Sequence, residues 1–102
     1  MKIRIGYGLG TRSDTNDQER FDALIDGLEA NGFDSLWLSE RLTSECPDPL
    51  VGMAYACGRT RKLKVGMSVM VLPGRNPVVL AKSIASLDRL SGGRCLPAFG
   101  LG

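Results

Sequence analysis

The sequence predicts an α/β protein of parallel βα units, and three observations carry that reading. Apolar segments of strand length start near residues 3, 34, 64 and 94, so strand, helix and turns recur about every 30 residues, the length of one βα unit. Between them lie apolar stripes of helical spacing, with capping residues in front and glycine behind. The third strand segment is a near-continuous apolar run, as expected of a parallel strand buried on both faces. The 102 residues suffice for one domain.

Ile3 to Leu9 alternates and then turns at Gly8 and Gly10, which predicts a first strand leading into a loop. Asn16 and Asp17 are both N-cap residues for a helix whose Phe21, Leu24, Ile25 and Leu28 share one face, and Gly32 supplies its left-handed end. Asp34 to Leu38 is the second strand, ending in the polar trio Ser39, Glu40 and Arg41. Asp48-Pro49 is a cap followed by proline at the first helical position, and Leu50, Met53, Ala54 and Cys57 form the stripe of a second helix ending near Gly58.

Lys64 to Leu72 reads as one continuous third strand, stopped by Pro73-Gly74. Asn76-Pro77 repeats the cap-plus-proline signal, Leu80, Ile84 and Leu87 repeat the stripe, and Gly92-Gly93 closes the third helix. Arg94 to Phe99 begins a fourth strand. Right-handed crossovers make all four parallel, so Gly8 to Gly10, Ser39 to Arg41, Val71 to Arg75 and Gly100 to Gly102 share the carboxyl edge, where α/β folds bind ligands. An eight-stranded barrel needs about 250 residues and an open doubly wound sheet at least about five strands. The last strand also lacks a covering helix, so a truncated parent or a partner that completes the sheet is expected.

Composition narrows the function classes. Hydrophobic residues at 43% and charged residues at 24% exclude disorder and collagen-like repeats. A net charge of +2 is too small to argue for a nucleic-acid or membrane surface. The basic cluster Arg59, Arg61, Lys62 and Lys64 has no interleaved aromatics and reads as a solvated turn. Cys46, Cys57 and Cys95 form no CxxC pair, so no disulfide framework is expected. The absence of histidine excludes His-containing zinc sites, Ser-His-Asp triads and Cys-His dyads. No metal site is expected. The start, Met-Lys-Ile-Arg-Ile-Gly, lacks the apolar stretch of a signal peptide, and a cytoplasmic location is the expectation.

Two phosphate motifs fail on inspection. Gly6, Gly8 and Gly10 would need glycine where Thr11 stands to make a dinucleotide loop, and Lys82-Ser83 follows Ala81 inside a helix rather than a glycine-rich loop. At the second strand end, Glu40 either handles a proton or forms a surface salt bridge with Arg41 or Arg12. Ser68 interrupts the apolar third strand as a buried hydroxyl that needs a partner, ordinarily a neighbouring backbone group. Arg75 offers its fork of donors to an anion or to water.

Phe33-Asp34-Ser35-Leu36-Trp37-Leu38-Ser39-Glu40-Arg41-Leu42, followed by Ser68-Val69-Met70-Val71-Leu72-Pro73-Gly74-Arg75-Asn76-Pro77, resembles the luciferase-like monooxygenase superfamily. Ala81-Lys82 through Leu87-Asp88-Arg89-Leu90-Ser91-Gly92-Gly93-Arg94, leading into Pro97-Ala98-Phe99-Gly100-Leu101-Gly102, extends the likeness over almost the whole chain. The resemblance implies that residues 1–102 are the amino-terminal part, about half, of a parallel (β/α)8 barrel. It implies an oxidoreductase or monooxygenase using reduced coenzyme F420, with FMN the alternative, for hydride transfer or oxygenation of a small-molecule substrate. It also implies a non-proline cis peptide at Ser68-Val69 that backs the cofactor ring, so Ser39, Ser68 and Val69 are the expected cofactor-binding residues and Glu40 the expected catalytic one. Where deazaflavin-dependent members often carry Asp-His, the matching pair here is Ser39-Glu40, so Glu40 either takes over proton handling or shapes the pocket. The alternative is a non-catalytic cofactor-binding or structural half-barrel that self-associates to hide its open edges.

Overall fold

The computed structural model describes residues 2–11 and 16–102. Its elements are β1 (Gly6–Gly10), α1 (Gln18–Ala30), β2 (Ser35–Leu38), α2 (Pro49–Arg59), β3 (Lys64–Met67), β4 (Met70–Val71), α3 (Pro77–Leu90), β5 (Cys95–Leu96) and β6 (Phe99–Gly100). β1, β2, β3 and β5 form one parallel sheet in that order, and β4 pairs with β6 in a separate parallel ribbon. Sequential order without a reversal is what successive βα units of a barrel wall require, whereas a doubly wound sheet reverses order at its switch point.

The helices form where the cap signals place them. The Asp17 side chain accepts a hydrogen bond from the Arg20 amide at 2.9 Å, Asp48 from Val51 at 3.0 Å, and Asn76 from Val78 at 3.0 Å and Val79 at 3.2 Å. Each cap thereby satisfies amide donors that a helix start leaves open. At the far ends, Phe33 N donates to Leu28 O at 3.0 Å and Gly93 N to Asp88 O at 2.8 Å. Those reversals pass through Gly32 at φ 73° and Gly92 at φ 69°, a region a side chain would strain.

The core lies between the helices and one face of the sheet. Leu9, Leu36, Leu38, Val65 and Met67 from the strands are buried there with Phe21, Ile25, Leu28, Met53, Ala56 and Leu87 from the helices. On α2 the packed residues are Pro49, Gly52, Met53, Ala56 and Cys57, while Ala54 is exposed, so the expected stripe was rotated toward the wrong alanine. Gly52 explains the rotation, because a Cβ there would stand 2.8 Å from Leu38 Cδ1. The glycine brings α2 down onto β2 and turns Ala54 outward.

Three strand expectations are corrected. β1 begins at Gly6 rather than Ile3, with Ile3 and Ile5 exposed, although Asp34 ties Ile5 to the sheet through its Oδ2 at 2.7 Å and its own amide at 2.8 Å. The run from Lys64 to Leu72 is not one strand. It breaks at a cis Ser68–Val69 peptide into β3 and β4, and the step leaves Ser68 and Val69 exposed, so Ser68 is not a buried hydroxyl. The fourth segment splits in register with it, into β5 and β6.

At the amino end of the sheet, Arg94 fastens the elements together. Its guanidinium donates to Ser91 O, Thr60 Oγ1, Leu63 O, Cys57 O and Thr60 O at 2.6–3.2 Å. The basic cluster nearby is more engaged than a solvated turn. Arg59 pairs with Asp26 at 2.7 Å and lies 3.6 Å from Asp22, while the amides of Arg61 and Lys62 donate to the Glu29 carboxylate at 2.8 and 2.7 Å.

Candidate functional site

Strand alternation sends Ser35, Trp37 and Ser39 to the sheet face opposite the core. Trp37 lies across this face. A Cβ on Gly66 would stand 2.5 Å from its ring, and one on Gly6 would stand 3.0 Å from its indole nitrogen. Its Nε1 donates to Ser35 Oγ at 2.8 Å. Nothing lies within 4 Å of a Cβ placed on Gly8 or Gly10, so the carboxyl end of β1 is bare backbone facing open space. Glycine flanks the single large ring on this face.

The four expected site residues gather at the carboxyl edge. Ser39 Oγ donates at 2.9 Å to the carbonyl of Ser68, the carbonyl of the cis peptide itself, and lies 3.3 Å from Ser68 Oγ. Val69 is 42% exposed, an apolar side chain held at an open edge. Its Cγ2 would be 2.7 Å from a Cβ on Gly100, and Val71 Cγ1 would be 3.1 Å from one on Gly102. The glycines of the last segment thus seat β4.

Glu40 is in an ion pair, but its partner is Arg75 rather than Arg41, and Arg12 lies outside the described residues. The Glu40 side chain is only 4% exposed. Its Oε2 accepts from Val71 N at 2.5 Å, Oε1 accepts from Arg75 Nη2, and Arg75 Nε donates to Val71 O at 2.7 Å. The anion that Arg75 meets is therefore within the chain. Sequence reasoning named both residues and missed the pairing, because nothing local links positions 35 apart. It also missed Trp37 and its flanking glycines, although the alternation of Gly6 and Gly8 was a signal of a side-chain-free face.

The loop after Glu40 packs on the same edge through Cys46, whose thiol lies 2.8 Å from Ser44 Oγ and donates to Ser39 O at 3.8 Å. Cys57 and Cys95 are buried and away from this edge, and burial pushes both thiols above the ordinary cysteine range. Among the described residues, no group of three or more His, Cys, Asp or Glu side chains is placed to hold a metal ion, and no helix is long and apolar enough to cross a membrane.

Known proteins are similar to this chain in sequence and in fold. The alkanal monooxygenase alpha chain of Photorhabdus luminescens is 41% identical over 69 residues, covering 65% of this chain and 19% of that protein. The coenzyme F420-dependent tetrahydromethanopterin reductase of Methanopyrus kandleri superposes over 100% of this chain and 28% of its own, with a TM-score of 0.80 and 27% identity. The FMN-bound oxygenating constituent of 3,6-diketocamphane monooxygenase from Pseudomonas putida superposes over 99% of this chain and 30% of its own, with a TM-score of 0.82 and 26% identity. The chain therefore spans less than a third of each relative's length. Residues 2–102 match the luciferase-like monooxygenase family. With the parallel βα order, the split third strand and these superpositions in agreement, the chain belongs to the luciferase-like monooxygenase family and has the fold of part of its barrel.

Proposed function

We propose that this chain supplies the ring-facing wall of an oxidoreductase site that takes reduced coenzyme F420, with FMN as the alternative, and acts on a small-molecule substrate. One observation carries the reading: Val69, apolar and 42% exposed, stands at the carboxyl edge beside the Ser39 and Ser68 hydroxyls. A ligand ring laid there meets an apolar side chain on its face and hydroxyls at its rim, the usual division of labour in small-molecule sites. When bound, the reduced cofactor supplies the hydride, or the electrons that activate oxygen. Val69 would pack against the ring and Ser68 Oγ would offer it a hydrogen bond, while Ser39 holds the Ser68 carbonyl in place. Of the two parts open to Glu40, proton handling and pocket shaping, its buried ion pair favours the second. Support for the deazaflavin comes from the F420-dependent reductase, which aligns over the whole chain. The FMN protein aligns over 99% of it, so binding has to separate the two.

The test is titration of the chain with coenzyme F420 and with FMN, followed by fluorescence, in the wild type and in Val69→Asp. The wild type is expected to bind F420 more tightly. A carboxylate set against the ring is expected to weaken binding at least about tenfold, or ~1.4 kcal/mol. Equal binding by Val69→Asp, or no binding of either cofactor, overturns the assignment.

A second reading is a non-catalytic half-barrel that self-associates. It is favoured by an apolar groove of about 600 Å³ lined by Leu72, Leu80, Ile84, Pro97 and Phe99, with Leu72 and Phe99 each 42% exposed. Light scattering across a concentration series distinguishes the readings, since a monomer throughout removes this one.

A further inference from the structure

We propose that Glu40 and Arg75 are positioning residues: together they form a latch that takes the place of a missing backbone ladder and fixes the height of the Ser68–Val69 wall. The proposal rests on the cofactor reading for what the wall contacts, but not for the latch itself.

Backbone groups of successive strand residues point to opposite edges. Met70 N donates to Ala98 O and Leu72 N to Gly100 O, each at 3.0 Å, so β4 spends these amides on β6. The amide and carbonyl of Val71 therefore point the other way, toward the end of β2. Among the described residues, no strand meets them there. The last bond of the β2–β3 ladder is Ser68 N to Leu38 O at 2.8 Å, and β2 ends at Leu38. Beyond that point side chains do the joining. Ser39 Oγ takes the Ser68 carbonyl, Glu40 Oε2 takes the Val71 amide at 2.5 Å, and Arg75 Nε takes the Val71 carbonyl at 2.7 Å. Arg75 Nη2 closes the ring onto Glu40 Oε1.

Both polar groups of one exposed-edge residue are thus satisfied by two oppositely charged side chains that also neutralise each other. Such a clamp is directional, because a carboxylate accepts and a guanidinium fork donates. Lys at position 75 lacks the fork, and Gln at position 40 keeps an oxygen acceptor for Val71. The pair is shielded, with side-chain exposures of 4% and 27%. Deleting one partner strands the other, whereas replacing both together with apolar residues is far milder on stability. That difference separates a positioning role from mere support of the fold.

The experiment measures amide hydrogen exchange by NMR at Val71, with Val65 of β3 as internal control, alongside F420 and FMN binding and thermal unfolding. The variants are Glu40→Gln, Arg75→Lys and the double Glu40→Met/Arg75→Met. In the double variant, unfolding is expected near the wild-type temperature, Val71 exchange about tenfold faster with Val65 unchanged, and cofactor affinity at least about fivefold weaker. Glu40→Gln is expected to retain most Val71 protection, and Arg75→Lys to lose part of it. Val71 protection that survives in the double variant overturns the latch. Protection lost with affinity unchanged overturns its effect on the wall. A wild type that binds neither cofactor overturns the cofactor reading, and with it the wall-setting claim, while Val71 exchange still judges the latch.

Discussion

The two faces of the same strands are built on opposite rules. Toward the helices, β1, β2 and β3 present Leu9, Leu36, Leu38, Val65 and Met67, each at most 1% exposed. Toward the other side the same strands present Gly6, Gly8, Ser35, Trp37, Gly66 and, beyond the ladder, Ser39 and Ser68. The first face is filled with interchangeable hydrophobes and holds the fold together. The second is nearly stripped of side chains, with one indole laid over glycine. A parallel strand can thus serve stability on one face while leaving backbone and small hydroxyls free on the other.

The largest expected effect breaks the packed face. Leu36→Ala removes a fully buried side chain at the centre of β2 and is expected to cost ~2–5 kcal/mol, measured by urea unfolding, because the cavity cannot collapse between sheet and helices. A loss below about 1 kcal/mol would mean that this face is not the core.

Gly66→Ala sharpens the contrast from the bare face. Its new Cβ would lie 2.5 Å from the Trp37 ring, and the ring must move. A cost of ~1–3 kcal/mol is expected, with a change in Trp37 fluorescence that Leu36→Ala does not share. Unaltered emission would show that Trp37 does not occupy that face.

The smallest effect belongs to neither face. The Glu29 carboxyl is penalised most by partial burial, yet amides of Lys62, Arg61 and Leu63, with Arg94 nearby, together hold it below the ordinary carboxylate range. Its folded pKa is lowered, so its contribution is present above the unfolded pKa of about 4.3 and is lost as pH falls through the folded value. Glu29→Gln is expected to lower stability at pH 7 by no more than ~0.5 kcal/mol, since solvent screens a partly exposed carboxylate, and to leave a flatter acid limb, read from unfolding between pH 7 and 3. An acid limb as steep as that of the wild type contradicts this.

Much of the packed face was legible in the sequence, because helix stripes and caps are local signals. Asp17, Asp48-Pro49 and Asn76-Pro77 start their helices as read, and Gly32 and Gly92-Gly93 end them. The third strand was misread for a physical reason. Val69, Val71 and Leu72 are apolar enough to look buried, but the chain steps at Ser68–Val69 and carries them out to the edge. Only the family resemblance pointed to the cis bond, since neither residue advertises it. The site was legible as a set of positions and illegible as a set of bonds. Ser39, Glu40, Ser68 and Arg75 were each singled out, but which hydroxyl meets which carbonyl, and which arginine meets Glu40, depends on the register of strands about 30 residues apart.

Arg94, at the end of the sheet away from the site, carries its own consequence. Among the described residues, each hydrogen-bond acceptor of its guanidinium is a backbone carbonyl or the Thr60 hydroxyl. Those groups neither gain nor lose protons in the range where proteins live. The hydrogen bonds that fasten the junction of α2, α3, β3 and β5 therefore do not themselves titrate, and acidity reaches Arg94 only through the nearby charge of Glu29.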